Sequence, residues 1–375
     1  MVFDYIDQPY ANKAINDTNV NLAIEDMGRH LVNIPCARSS SCLPAKEAFD
    51  KEGNLIAPLN TAALDEWIKR WGHHAQYYWF YLERSKKDIS FCGENPGTGR
   101  FDKMVKQWLD AFVAHAKKLG IHPDQLIFHV LDEPRNDELF DAIAKWNIAM
   151  KKANSGIKCW SDPTWENASS SKTISPAFME MLKTTDIICP HLPACKKIRE
   201  NIYHIQGNKK TAFFYTASDR TASLLDPYYA YRLQAWHCWA NKCSGMGYWA
   251  YLSHHQNESD SDWDGFGDST YHWGMVYLAE GAMVSSKRWE AVREGVEDYE
   301  CLKMLETELE TLKKKRGITM SRAESLLDSA SLVAKDYEYP LIYGEYDKDR
   351  TLADNIRLQV LDLLSRMKTE AAVEN

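Results

Sequence analysis

Eight short apolar runs punctuate the first 250 or so residues, at 2–6, 31–35, 77–82, 126–131, 157–160, 186–189, 211–215 and 245–251. Between them lie longer stretches of helical periodicity, at 13–29, 61–73, 101–119, 137–154, 174–183, 194–206 and 227–243. The clearest is 101–119, where Phe101, Met104, Val105, Trp108, Leu109 and Phe112 recur on one face and Gly120 stops the helix. Strands joined by helical crossovers pair in parallel. Eight such units are the number that closes a (β/α)8 TIM barrel. A doubly wound sheet would carry a glycine-rich phosphate loop after an early strand, and neither GxGxxG nor GxxxxGK stands there. The fold is therefore read as α/β, with a barrel over 1–290. A helical appendix over 291–375 is expected to pack on it, built from the charged helical stretches that begin near 288 and include 321–336 and 350–367.

Composition narrows the function classes. The chain is 45% hydrophobic, enough for a large core, and no run approaches the ~18 apolar residues of a membrane helix. Its net charge is -8, and Lys313 to Arg316 form its one basic block, so neither nucleic acid nor membrane is an expected partner. The nine cysteines make an odd count without a CxxC pair, and we read them as mostly reduced and buried. The chain opens without a basic segment followed by an apolar one, so no signal peptide is read. The compartment stays open, because a front segment outside this chain could hold the address. The 13 Trp, 19 Tyr and 12 Phe either fill a core or line a cleft for the flat faces of sugars.

In a barrel, chemistry collects at the C-terminal strand ends. Strand 4 ends in Asp132-Glu133-Pro134, and strand 5 in Trp160, Ser161 and Asp162 with Trp165 beyond. Strand 6 leads to His191, strand 7 ends in Tyr215, and strand 8 ends in Trp249 and Tyr251. The loop 253–273 adds Asp264. Two adjacent carboxyls at a strand end repel, which tends to keep one protonated, as a general acid requires. The bland alternative has Asp132 capping the next helix and Glu133 paired with Arg135. His129, inside strand 4, reads as a satisfied interior histidine. Retaining glycosidases place a second carboxylate ~5–5.5 Å from the acid, yet strand 7 ends in Phe214-Tyr215-Thr216. Substrate-assisted hydrolysis of 2-acetamido sugars removes that need, since the acetamido oxygen attacks the anomeric carbon. Asp260-Ser261-Asp262-Trp263-Asp264-Gly265 matches half an EF-hand loop, but its twelfth position is Tyr271. No metal and no cofactor are expected.

The pair Asp132-Glu133, the stretch 245–249, Gly267-Asp268 ahead of 284–288, and above all 293–302 (Arg-Glu-Gly-Val-Glu-Asp-Tyr-Glu-Cys-Leu) resemble the catalytic region of glycoside hydrolase family 123. The resemblance implies a (β/α)8 barrel that hydrolyses β-linked N-acetylgalactosaminides with substrate assistance. It implies Glu133 as acid/base and Asp132 as the group that stabilises the acetamido N–H. Tyr215, Trp249, Asp162, Trp165, Trp160, His191, Tyr251 and Asp264 are the expected substrate-binding residues. Arg293 and Asp298 are expected to make a structural ion pair that docks the helical appendix. Two alternatives stay open: a glycosidase for another glycan, pairing Glu133 with a distant carboxylate such as Asp162 or Asp264, and a carbohydrate-binding barrel without catalysis. The oligomeric state is not legible.

Overall fold

The computed structural model describes residues 2–4, 15–85, 88–163, 175–190, 211–217, 228–252, 274–312, 318–335, 349 and 351–373. Eight strands run in chain order: β1 (Val2–Asp4), β2 (Val32–Ala37), β3 (Tyr78–Tyr81), β4 (Leu126–His129), β5 (Lys158–Ser161), β6 (Ile187–Ile188), β7 (Thr211–Ala217) and β8 (Gly245–Trp249). Each pairs in parallel with the next, and β1 also pairs with β8, so the sheet curls round on itself. All eight fall within or overlap the apolar runs read from the sequence. Helices α1 (Val20–Arg29), α2 (Ala62–Trp71), α3 (Gly99–Lys118), α4 (Asp137–Ala153) and α5 (Pro176–Thr184) follow the first five strands, and α6 (Leu233–Ala240) follows β7. The segment after β6 lies outside the described residues.

Alternation along the strands divides the core in two. Val32, Tyr78, Phe80, Leu126, Phe128, Cys159, Ala212 and Phe214 face outward to the helices. Ile34, Cys36, Trp79, Tyr81, Ile127, Trp160, Ile187, Phe213 and Tyr215 face into the ring of strands. There Trp79 stacks on Trp160 at 4.8 Å between centroids, and Phe213 meets Trp160 edge-on at 5.2 Å. Helix starts are set by ordinary capping: Thr98, Asn136 and Ser175 each accept from a backbone N–H three residues on. Asn136, not Asp132, caps α4. Eight cysteines among the described residues are free, and seven of them are buried.

Two features lay beyond the sequence reading or sharpened it. Strands β9 (Val276–Ala279) and β10 (Ala282–Ser285) form an antiparallel hairpin that the strand count passed over. Its signal was the short run around Glu280-Gly281, where Gly281 takes φ +69°. Three helices then follow, α7 (Lys287–Leu312), α8 (Ile318–Lys335) and α9 (Leu352–Val373). Arg293 and Asp298 do not pair with each other. Arg293 binds Glu290 and Glu297 on its own helix. Asp298, fully buried, accepts from Arg232 Nε at 2.6 Å and from Trp236 Nε1 at 2.9 Å, and Arg357 of α9 lies 3.1 Å away. Gly295 permits this contact, since a Cβ there would stand 2.5 Å from the Arg232 carbonyl oxygen. Removing one partner of a buried ion pair strands the other charge. Asp298→Ala is therefore expected to cost about 3–5 kcal/mol, read as a drop in the urea midpoint.

Candidate active site

Past β4 the backbone leaves the extended path. Glu133 has φ +45°, a left-handed conformation rare for a residue with a Cβ, and Pro134 follows it. Neighbours on a strand point to opposite faces. Here the turn brings both carboxyls of the Asp132-Glu133 pair to the same group of side chains. Glu133 Oε1 accepts from Tyr215 OH at 2.6 Å, and Oε2 accepts from Arg135 at 2.7 Å. The Glu133 N–H donates to Asp162 Oδ1 at 3.1 Å. The Asp132 and Asp162 carboxyls lie against each other, each offering an oxygen within 4.8 Å of the other.

The electrostatics follow from what lies below. Asp162 has 0% of its surface exposed, and it sits one layer above Trp160 on the inward side of β5. Burial pushes both Asp132 and Asp162 well above the usual carboxylate range; the Asp162 charge adds to it at Asp132, whereas at Asp162 the Glu133 charge adds and the contact with Asp132 works the other way. Burial likewise pushes the Tyr215 phenol up, with Asp162 and Glu133 adding to it, so this hydroxyl stays a neutral donor. His129 is pushed down to about 4, chiefly by burial. Its Nε2 lies 2.8 Å from the Leu131 carbonyl and 2.9 Å from Asp162 Oδ1, so that nitrogen carries the hydrogen of a neutral ring. His129, Asp132 and Asp162 each offer a ligand atom within 4.8 Å of the others, the set most able to hold a cation among the described residues. Their present hydrogen bonds already account for His129 Nε2 and Asp162 Oδ1.

The model of the glycoside hydrolase 123 catalytic domain matches residues 62–305, well over half of the chain. The chain belongs to glycoside hydrolase family 123. No curated protein sequence matches it. The chain is also similar to the endo-β-1,4-mannanase from Thermotoga petrophila, at 12% identity and TM-score 0.50, over 80% of this chain and 76% of that one. A second likeness is to an endo-1,4-β-mannanase from Rhizomucor miehei, at 11% identity and TM-score 0.46, over 66% and 84%. At such identities the likeness concerns the fold alone. Membership in the family makes the chain a glycoside hydrolase domain, with carbohydrate as its substrate class. No described helix is long and apolar enough to cross a membrane.

The expected site residues of this family 123 chain separate into three groups. Glu133, Asp132, Tyr215 and Asp162 come together as described, and Trp249 lies half-buried against the inner cluster at the end of β8. Trp160 and Tyr251 need correction as sugar platforms. Trp160 is fully buried, with Trp79 stacked on its ring. Tyr251 lies beyond the end of β8, where strand alternation stops, and is buried in the outer core with its hydroxyl on Asp26 Oδ2 at 2.7 Å. Asp162 needs correction as a sugar contact and as a distant base, because it lies wholly beneath the pair. Trp165, His191 and Asp264 fall outside the described residues, as does the EF-hand-like stretch. His129 joins the site without having been expected there, and Arg135 joins it as the partner of Glu133 that the alternative reading gave. His129 was legible, being two residues past inward-facing Ile127.

Raised carboxyl pKa values carry a stability signature. The folded chain holds a proton on the Asp132/Asp162 pair that the unfolded chain releases above about pH 4, so this contribution falls as pH rises from there. His129, pushed down, works in the opposite sense and gains as pH rises from about 4 to its ordinary 6.5. Asp132→Asn supplies the hydrogen to Asp162 from its own amide, so folding no longer has to take up a proton there. The variant is expected to melt higher than wild type by about 2 °C or more near pH 8, with the difference shrinking toward about pH 4. Thermal melts across pH read it.

Proposed function

We propose that the chain hydrolyses β-linked 2-acetamido-2-deoxy sugars, N-acetylgalactosaminides first among them, by a retaining, substrate-assisted mechanism on a full (β/α)8 barrel. The barrel is taken as residues 1–290 and the helices from 291 as an appendix docked on it. The observation that carries the reading is the hydrogen bond from Tyr215 OH to Glu133 Oε1. It joins the end of β4 to β7, and the whole of β7 (Thr211–Ala217) contains no carboxylate to serve as a nucleophile. The nucleophile is then the substrate's own acetamido oxygen.

In this reading Arg135, which is exposed, leaves Glu133 Oε2 as substrate docks, and that oxygen takes up a proton from solvent and meets the glycosidic oxygen. Glu133 passes its proton to that oxygen as the bond to the anomeric carbon breaks. The acetamido oxygen attacks the same carbon and forms an oxazoline, while Asp132 accepts the acetamido N–H and steadies the positive charge that develops on nitrogen. Glu133, now a carboxylate, takes a proton from the water that opens the oxazoline. Tyr215 holds Glu133 in place, and Trp249 offers a ring face at the mouth.

Glu133→Gln is expected to lower kcat/KM on an aryl β-N-acetylgalactosaminide by about 10²–10⁴-fold with the fold intact. Tyr215→Phe is expected to lower kcat about 10-fold or more, the worth of a hydrogen bond to a charged group. Wild-type turnover of the matching 2-hydroxy glycoside at an equal rate would sink substrate assistance, and tight binding of a thiazoline analogue of the oxazoline would support it.

A further inference from the structure

We infer that Asp162 is a positioning residue: buried beneath the mouth, one carboxyl holds Asp132 through a shared proton and the Glu133 backbone through a hydrogen bond, setting both members of the pair at once. The inference rests on the substrate-assisted reading above and adds to it the group that keeps Asp132 ready to accept an N–H.

Three observations support it. Asp162 Oδ1 is pinned from two sides, by Glu133 N–H at 3.1 Å and by the neutral His129 ring at 2.9 Å. Asp162 Oδ2, equally buried, meets no N–H or O–H donor among the described residues, and the Asp132 carboxyl offers an oxygen within 4.8 Å of Asp162. Asp162 is reached along β5, whose Trp160 pairs in register with His129 of β4, so the two strands hold the two residues side by side. Among the described residues, the groups that face the carboxyl pair are His129 and Glu133 from β4 and its end, and Tyr215 from β7, whose phenol is neutral. None of them brings a cation into the pocket, and Arg135 is spent on the outer oxygen of Glu133. The pair therefore holds one proton and one negative charge. When an acetamido N–H docks on Asp132, the proton settles on Asp162 and the charge on Asp132. No proton leaves the pair in this step.

Two variants and one spectrum test this. Asp162→Ala removes both anchors and is expected to lower kcat about 100-fold, the cost of a misplacement near 1 Å, with KM moved less than about 3-fold. Asp162→Asn can give an N–H to Asp132 and keep a carbonyl oxygen for Glu133 N–H, so it is expected to recover kcat to within about 10-fold of wild type. In infrared spectra of protein with carbon-13-labelled aspartate, wild type near neutral pH is expected to show a protonated carboxyl band that both Asp162→Asn and Asp132→Asn lose. Wild-type kcat in Asp162→Ala would overturn the inference. So would a band that persists in either Asn variant, or a bound divalent metal in place of the band. Equal turnover of a 2-hydroxy glycoside would remove the substrate-assisted reading and leave the band unchanged, so the two failures are distinct.

Discussion

The interior of the strand ring is filled by aromatic rings, and the site depends on that filling. Trp79, Trp160 and Phe213 are fully buried beneath the carboxyls, so Asp162 stands on an apolar floor. An isolated carboxylate there would face a desolvation cost of several kcal/mol. Sharing one proton with Asp132, and accepting from His129 and the Glu133 N–H, is the arrangement that lowers this cost. Packing on the inside of the curled sheet thus acts on the charge state at the ends of its strands. The same floor takes Trp160 out of the set of sugar-stacking rings, since the ring that desolvates the pair cannot also meet the substrate.

A second constraint acts from outside. Arg232, at the start of α6, is buried, and it is held by Asp298 of α7 and Asp354 of α9. The residues 293–302 that carry the family resemblance most strongly therefore lie at a helix interface. Gly295 is there because α7 meets the Arg232 backbone directly, and Tyr299 reaches across to the Cys243 carbonyl at 2.9 Å. A segment can mark a family through the way it docks one helix on another, with no part in the chemistry.

How far the sequence foretold this follows from the periods it contains. The strands were legible because each apolar run is short and bounded, and α3 because its buried face repeats over five turns. Period-2 alternation also held more than was taken from it. Counting from inward-facing Ile127 and Trp160 places His129 and Asp162 on the inner side, beneath the pair, and not out with the substrate. The hairpin at β9 and β10 was missed because it pairs outside the barrel pattern. Tyr251 was misplaced because strand alternation was carried two residues past the end of β8. Contacts between residues far apart, such as Tyr215 on Glu133 or Asp298 on Arg232, leave no local signal at all.

Adjacent carboxyls that meet one group of side chains raise a geometric problem, since consecutive residues of a strand face opposite ways. The left-handed backbone at Glu133 resolves it, at a cost of about 1–3 kcal/mol for a residue other than glycine. A glycine would relieve the strain and remove the carboxyl, so the position must tolerate it. The compensation is local: the strained residue's own N–H is tied to Asp162, and its carboxylate is held from both sides by Tyr215 and Arg135. The bland reading of Glu133 as partner of Arg135 is thus correct in part, and compatible with catalysis. Arg135 occupies only the outer oxygen, which leaves the inner one to Tyr215.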